Sequence, residues 1–281
     1  MNIDGSPGVM RRLIAFGLKK LRQDAGLSQA QVAKHMRRSQ GSIANWEKDT
    51  VPRLEVVEKL LTYYGADDQI PKYTAMLELA EQKSWWEGLS ETREPAGFDV
   101  FLGLEEGASK IESFDPLIVP GLLQTESYAR AVTLGGQRTD TDLDRKVALR
   151  MKRQEALTRA KPLHLWAVID ETALDRPIGD AETRRGQLDH LVRMSERANV
   201  QLQVIPRDVG AYPGLTGAFE ILHFPLEQDP GVVYVETRVR AVWFEQQAEI
   251  DQHTQVMNHL RALALAPEQS SALIAAKQKE V

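Results

Sequence analysis

Apolar residues recur at helical spacing through the first 65 residues of the chain. This pattern predicts four helices, over residues 9–24, 29–36, 40–48 and 52–64. Gly26 and Gly65 follow the first and the last of them, where glycine commonly ends a helix. Ser28 and Ser39 are typical N-caps of the second and third helices, and Gln31 completes a capping box with Ser28. A bundle of short helices is therefore expected here.

The pattern changes beyond residue 70. Helical periodicity predicts further helices over residues 71–88, 98–113, 124–134, 140–159, 180–198, 246–265 and 270–279. Apolar segments of strand character cover residues 163–169, 200–205, 217–224, 232–235 and, as a candidate fifth, 239–244. The expected fold class is mainly α with α+β. It combines an N-terminal domain of four or five helices with a larger domain that has a small, mostly antiparallel sheet and flanking helices.

The same pattern divides the chain into three parts. Residues 1–70 are expected to form the helical domain, residues 71–97 a helical connector or linker, and residues 98–281 the larger domain. Residues 89–97 have the composition of a linker, and the helix over 71–88 is an alternative connecting element.

The composition is that of an ordinary folded protein. The 281 residues are 42% hydrophobic and 27% charged, which excludes a mainly disordered chain. The absence of cysteine excludes disulfides, cysteine-ligated zinc, iron–sulfur clusters and thiol nucleophiles. No apolar run approaches the roughly 18 residues of a membrane span. Residues 1–8 lack the features of a signal peptide, so a cytoplasmic protein without a membrane partner is expected.

Charge is distributed unevenly along the chain. Residues 1–70 carry 11 basic and 8 acidic side chains, a net charge of +3, whereas residues 71–281 carry 24 and 32, a net charge of −8. A basic N-terminal domain on an acidic body is typical of a small nucleic-acid-binding module joined to a non-binding domain. Ordinary surface variation is the alternative explanation.

The third helix is short, capped, and follows the second after a tight turn. This is the helix-turn-helix arrangement, in which the second helix of the pair enters the major groove of DNA. The chain resembles the Xre and lambda-repressor-like family over residues 11–65, on the segments LRQDAGLSQ at 21–29, VA at 32–33 and SQGSIANWE at 39–47. The resemblance implies double-stranded DNA as a partner, and an ion pair between Arg22 and Glu47 that supports the recognition helix. Because single modules of this kind bind weakly, a homodimer is expected.

Within the third helix, Ile43 and Trp46 are predicted to face the core. The remaining positions face solvent or DNA and are the candidate base contacts: Gln40, Gly41, Ser42, Ala44 and Asn45. Glutamine and asparagine can pair bidentately with adenine, and serine can donate or accept at a base edge. Because two of these residues are small, the site is read partly through DNA shape, or Ala44 packs on a thymine methyl group. The alternative is that Gln40, Ser42 and Asn45 lie on a solvated helix face and contact no base.

A second set of side chains is expected to contact the DNA backbone: Arg22, Ser28, Gln29, Arg37, Arg38, Ser39 and Lys48. The resemblance places Gln29 against a phosphate, at the start of the second helix. For Arg37 and Arg38, an ordinary charged loop is the alternative.

The larger domain contains the segment VPGLLQTESYAR at residues 119–130. With further matches that bring the coverage to most of residues 75–275, it resembles the domain behind Xre modules in antitoxin-like actinomycete regulators of the WhiJ type. The resemblance implies regulation, modulated by a small partner protein. From the residues alone, the segment is a turn followed by core leucines and a helix capped by Thr125. Gln124 and Tyr128 are also candidates for a pocket that takes an effector or a partner.

Asp170 and Glu171, which follow an apolar strand, are the most catalytic-looking pair in the chain. Acidic residues at strand ends are more often helix caps, so they are also candidate pocket residues beside Gln124 and Tyr128. The six histidines have no metal-binding spacing, and GxSxG, P-loop and GxGxxG motifs are absent. No enzymatic activity, cofactor or metal is therefore expected.

These observations predict a sequence-specific DNA-binding transcriptional regulator. Helix 39–48 reads the major groove, and the C-terminal domain dimerises and receives a signal. The alternatives are an antitoxin-like protein whose main role is to bind a small partner protein, a small-molecule sensor, and an enzyme tethered to DNA.

Overall fold

The computed structural model describes residues 7–48, 50–82, 98–136, 142–225 and 229–281. The chain divides into two compact units, Met1–Trp85 and Trp86–Val281. The linker predicted over 89–97 lies outside the described residues, as does the end of the helix predicted over 71–88. Among the described helices, none combines the length and the apolar character that crossing a membrane requires.

The described residues of the first unit contain five α-helices: α1 Pro7–Asp24, α2 Gln29–Met36, α3 Gln40–Trp46, α4 Leu54–Tyr64 and α5 Ile70–Ala80. The capping box of α2 is confirmed, because Ser28 Oγ accepts the Gln31 N–H while the Ser28 N–H donates to Gln31 Oε1. Gly65 ends α4 in the left-handed conformation, with φ at 74°. Helix α3 is two residues shorter than predicted, because it ends at Trp46 rather than Lys48.

Helix α5 packs on α1 and contributes to the core of the first unit. Tyr73, Met76 and Leu77 of α5 are buried, as are Ile14 and Leu18 of α1. The two helices approach closely at Gly17, where an added Cβ would lie 2.1 Å from Tyr73 Oη. The first unit therefore extends past residue 70, and the helix expected as a possible connector is packed inside it.

The second unit is built on a six-stranded mixed sheet in the order β3-β2-β1-β4-β5-β6. The strands are β1 Lys110–Asp115, β2 His164–Asp170, β3 Val200–Ile205, β4 Phe219–His223, β5 Val232–Glu236 and β6 Ala241–Phe244. The first three are parallel to one another, and the three pairings from β1 to β6 are antiparallel. The expected fold class, a helical domain followed by an α+β domain, is confirmed.

Strand β1 corrects the helix predicted over 98–113. Helix α6, Phe98–Gly107, ends earlier, and residues 110–115 form the strand on which β2 and β4 both pair. Its four central residues, 111–114, are all buried, so they lack the alternation of a half-exposed strand. Pairing along both edges outweighs the local helical pattern.

The two faces of the sheet are packed by different residues. The remaining helices are α7 Glu126–Gly136, α8 Leu143–Arg153, α9 Glu171–Asp175, α10 Ala181–Ser195, α11 Gln247–Leu263 and α12 Pro267–Glu280. Phe114 and Ile221 of the sheet join Met257 of α11 in one apolar core. Ser113 and Glu220 are register partners at alternate positions, so they lie on the opposite face, which is partly polar.

Candidate nucleic-acid interface

The connection between α2 and α3 is three residues long: Arg37, Arg38 and Ser39. Arg37 adopts the left-handed conformation, with φ at 54° and ψ at 47°. In the described ranges it is the only residue other than glycine with a positive φ. Ser39 Oγ accepts the backbone N–H of Ser42 at 3.1 Å and so caps α3. The left-handed residue and the cap together fix the turn that separates the two helices.

Because Arg37 bears a Cβ in this conformation, we expect Arg37→Gly to stabilise the first unit by about 1 kcal/mol. Hydrogen exchange of the α2 and α3 amides in the full chain measures this gain. DNA affinity is expected to fall at the same time, because a positive charge is lost. Arg37→Ala is the matched control, since it loses the charge and keeps the strain. Lower stability in the glycine variant would contradict the cost assigned to this turn.

Helix α3 exposes the face that carries the candidate base contacts. Gln40, Gly41 and Asn45 are exposed, Ser42 and Ala44 are partly exposed, and Ile43 is buried. Ser42 Oγ lies 2.9 Å from Ser39 Oγ, so this hydroxyl takes part in the cap. Gln40 and Asn45 are therefore the long polar side chains that this face offers to a base edge.

Glu47, the residue that follows α3, ties that helix to both α1 and α2. Arg22 of α1 donates from Nε to Glu47 Oε1 at 2.6 Å and from Nη2 to Oε2 at 2.8 Å. Gln29, the first residue of α2, donates from Nε2 to Glu47 Oε2 at 2.9 Å. Arg22 Nη1 also donates to the Leu27 carbonyl. The carboxylate thus sets the position of the recognition helix relative to its neighbours.

The structure corrects the assignment of Arg22 to the DNA backbone. Its side chain is 10% exposed, and its guanidinium donates hydrogen bonds to the Glu47 carboxylate and the Leu27 carbonyl. Arg22 therefore holds α3 in position and does not face solvent. Arg37, Arg38 and Lys48 are exposed at or near the ends of α2 and α3. Ser28 and Ser39 act as N-caps, and Gln29 is held by Glu47. These six residues stay predicted backbone contacts.

The four residues predicted for a C-terminal pocket do not share the cavity beside Gln124, although Gln124 and Tyr128 both bond to Val119. Gln124 alone lines a cavity of the second unit. Its Nε2 donates to the Val119 carbonyl at 2.6 Å, and its Oε1 accepts from Arg150 at 2.9 Å. Tyr128 Oη accepts the Val119 N–H, and the Tyr128 N–H donates to Thr125 Oγ1. Tyr128 therefore fixes the turn, and the predicted cap by Thr125 is confirmed.

Asp170 and Glu171 are engaged in structural contacts. Asp170 Oδ1 accepts the Thr172 N–H at 2.8 Å and caps α9, while its Oδ2 accepts from Tyr212 Oη at 2.5 Å. Glu171 pairs with Lys277 at 2.7 Å and accepts the backbone N–H of Arg207. Burial opposes ionisation of Glu171, but the bonds from Lys277 and Arg207 hold the pKa of this carboxyl below its usual value. Among the described residues, no group of three or more His, Asp or Glu side chains could hold a metal ion.

Sequence reasoning missed most of the residues that line the cavity beside Gln124. They include Asp115, Arg150, Arg153, Glu220 and Glu236. Asp115 was hidden because most of the strand that it ends, β1, was predicted as part of a helix over 98–113. Glu220 could have been noticed from the sequence. It lies inside the apolar strand FEILH, where burying an acidic side chain costs free energy.

The capped turn, the exposed face of α3 and the Glu47 ion pair define the first unit as a helix-turn-helix DNA-binding domain. Residues 14–70 match a family described as a helix-turn-helix domain, which indicates DNA binding and transcription regulation. Residues 98–276 match the family described as Domain of unknown function (DUF5753), and the chain belongs to that family. No curated protein and no solved structure matches the chain.

Proposed function

We propose that this protein is a dimeric, sequence-specific transcriptional regulator of the Xre type, which places α3 in the major groove of double-stranded DNA. The observation that carries the proposal is the exposed polar face of α3, held in place by Glu47. A recognition helix needs rigid support, because bidentate base contacts tolerate little displacement. Glu47 supplies it through Arg22 and Gln29.

The small size of Gly41 and Ala44 supports the dimer. One copy of α3 offers few base-reading groups, so a single module discriminates weakly. Two copies related by a two-fold axis double the contacts and read half-sites about 34–36 Å apart, one turn of DNA. The same two-fold symmetry predicts an inverted repeat in the operator.

The second unit is proposed to be regulatory rather than catalytic. Asp170 and Glu171, its most catalytic-looking pair, are used as a helix cap and in an ion pair. This agrees with the WhiJ-type regulators that the sequence resembles, in which a C-terminal domain modulates the DNA-binding module. The signal is a small molecule or a small partner protein.

Selection of binding sites from a random duplex library by the full-length protein tests this function. The expected result at physiological salt is enrichment of an inverted repeat with half-sites one helical turn apart. An enriched single half-site would contradict the dimer, and no enrichment would contradict sequence-specific recognition by the protein alone.

At the selected site, Gln40→Ala and Asn45→Ala are each expected to cost about 1–3 kcal/mol of binding free energy and to relax specificity at one base pair. Both side chains are exposed on α3, so the fold should be unaffected. Arg38→Ala is the matched comparison, since loss of a phosphate contact weakens all sequences alike and lowers the salt slope by about one. Fluorescence anisotropy on specific and random duplexes separates the two. An equal loss on random DNA in the α3 variants would argue against base reading.

A further inference from the structure

A cavity of about 350 Å³ lies in the second unit, on the partly polar face of the sheet. Strands β1, β4 and β5 contribute to its lining, and α6 and α8 contribute Phe101, Arg150 and Arg153. The rings of Phe101 and Tyr234 stack there with their centroids 4.3 Å apart. Such a volume is at the small end of the range for small-molecule sites.

The strand order places this cavity where the parallel part of the sheet meets its antiparallel part. From β1 the chain continues to β2 on one side, whereas β4 lies on the other side. The cavity is lined by Asp115, the last residue of β1, and by Phe219 and Glu220 at the start of β4.

The cavity has more acidic than basic side chains around it. Arg153 is already paired with Glu105 of α6, through Nε–Oε1 and Nη2–Oε2 distances of 2.7 and 2.6 Å. Arg150 is the second lining cation, and it donates to Gln124. Three further carboxylates line the space, those of Asp115, Glu220 and Glu236. With Glu105 included, four carboxyl groups therefore face two guanidinium groups.

Glu220 differs from Asp115 and Glu236 in its hydrogen bonding. Asp115 Oδ1 accepts the N–H groups of Leu117 and Ile118, and Glu236 Oε2 accepts from Tyr234 Oη at 2.8 Å. Glu220 Oε2 is inaccessible and has no hydrogen-bond partner within the part of the chain that the structure describes. Burial raises the pKa of Glu220 to about 8, the charge of Glu105 adds to the shift, and Arg153 offsets part of it. A buried acceptor without a donor is costly.

We propose that the cavity binds a small organic cation, a primary amine on an apolar body, with its ammonium group on Glu220 and its body against Phe101 and Tyr234. The ammonium group donates a hydrogen bond to Glu220, and it brings a positive charge into a cavity that has more acidic than basic side chains. Aromatic rings are favourable neighbours for an ammonium group. The cavity is built from residues of the second unit alone, so the proposal does not depend on the operator.

Isothermal titration of the full-length protein with matched compounds tests the charge of the ligand. The panel contains 2-phenylethylamine and hexylamine, the alcohols 2-phenylethanol and hexanol, and the acid 3-phenylpropanoate. At pH 8 at least one amine is expected to bind tenfold or more tightly than its alcohol, and the acid not at all. Glu220→Gln should weaken amine binding tenfold or more, whereas Glu126→Gln, at an exposed position on α7, should leave it unchanged.

The pH dependence of binding provides a second, independent readout. The groups that face Glu220 are Glu105 of α6, Arg150 and Arg153 of α8, Asp115 of β1, and Tyr234 and Glu236 of β5. Because an ammonium group displaces the Glu220 proton, amine affinity should rise up to tenfold per pH unit from pH 6 and level off above pH 8. In Glu220→Gln this rise should be absent.

Several outcomes would overturn the proposal: no binding by either amine, alcohols that bind as tightly as amines, or Glu220→Gln behaving like the wild type. Ala218→Trp places a large side chain at the exposed lining residue Ala218 without changing charge. Amine binding should be lost in this variant, and unchanged binding would place the amine elsewhere.

Discussion

Glu47→Ala is expected to lower the free energy of unfolding of the first unit by about 3–5 kcal/mol, because it leaves the Arg22 guanidinium buried without its carboxylate. The side chains of Arg22 and Glu47 are 10% and 4% exposed, so water does not replace the lost bonds. The change also releases Gln29 from the end of α3. Operator affinity should fall more than tenfold. Urea unfolding and fluorescence anisotropy measure the two effects.

Two further variants make this result interpretable. Glu78→Ala removes an exposed glutamate from α5 and should change stability by less than about 0.5 kcal/mol. Arg22→Met combined with Glu47→Leu replaces the ion pair with apolar side chains and should restore most of the stability. The double variant still lacks the anchor of Gln29, so its operator affinity should stay low. Wild-type affinity in the double variant would show that the carboxylate does not position α3.

Glu220→Gln is expected to change the pH dependence of stability. Glu220 has a pKa of about 8 in the folded chain, well above the usual value of 4.5. The folded state therefore binds its proton more tightly than the unfolded state, and this contribution to stability is present below about pH 4.5 and lost as the pH rises towards 8. The loss amounts to about 3–5 kcal/mol over that range. Glutamine cannot ionise, so the variant should gain this amount relative to wild type by pH 8.

Urea unfolding at pH 5 to 9 measures the free energy of unfolding of the wild type and of Glu220→Gln, and the difference between the two tests the prediction. Burial lowers the pKa of His190, which makes the folded state lose stability as the pH falls below 6.5 and so acts in the opposite direction. That contribution is common to both proteins and cancels in the difference. Parallel pH profiles for the wild type and Glu220→Gln would contradict the raised pKa.

The first unit could be predicted from sequence because its determinants are local. The cap of α2 joins Ser28 to a residue three positions on, and the cap of α3 does the same from Ser39. Arg22 was the exception. The family resemblance implied its ion pair with Glu47, but Arg22 was also predicted to contact the DNA backbone. How far that pair buries it depends on Glu47, which is 25 residues away in the chain.

The second unit was less predictable because its central elements depend on distant partners. Residues 110–115 become a strand through pairing with β2 and β4, both later in the chain. Without β1, the cavity could not be inferred. Gln124 was a candidate for the right region, but the carboxylates that define it come from three different strands.

Strand β1 leaves the ribosome well before either strand that flanks it. Until Phe219–His223 has been synthesised, one edge of this buried strand has no partner. Unpaired apolar edges associate wrongly during folding, and sheets that close over long sequence separations form slowly. The first unit can close as soon as α5, which ends at Ala80 and packs on α1, has been synthesised, so it has no such delay. A nascent chain interrupted before residue 219 therefore carries a complete helix-turn-helix domain and a sheet that is still open.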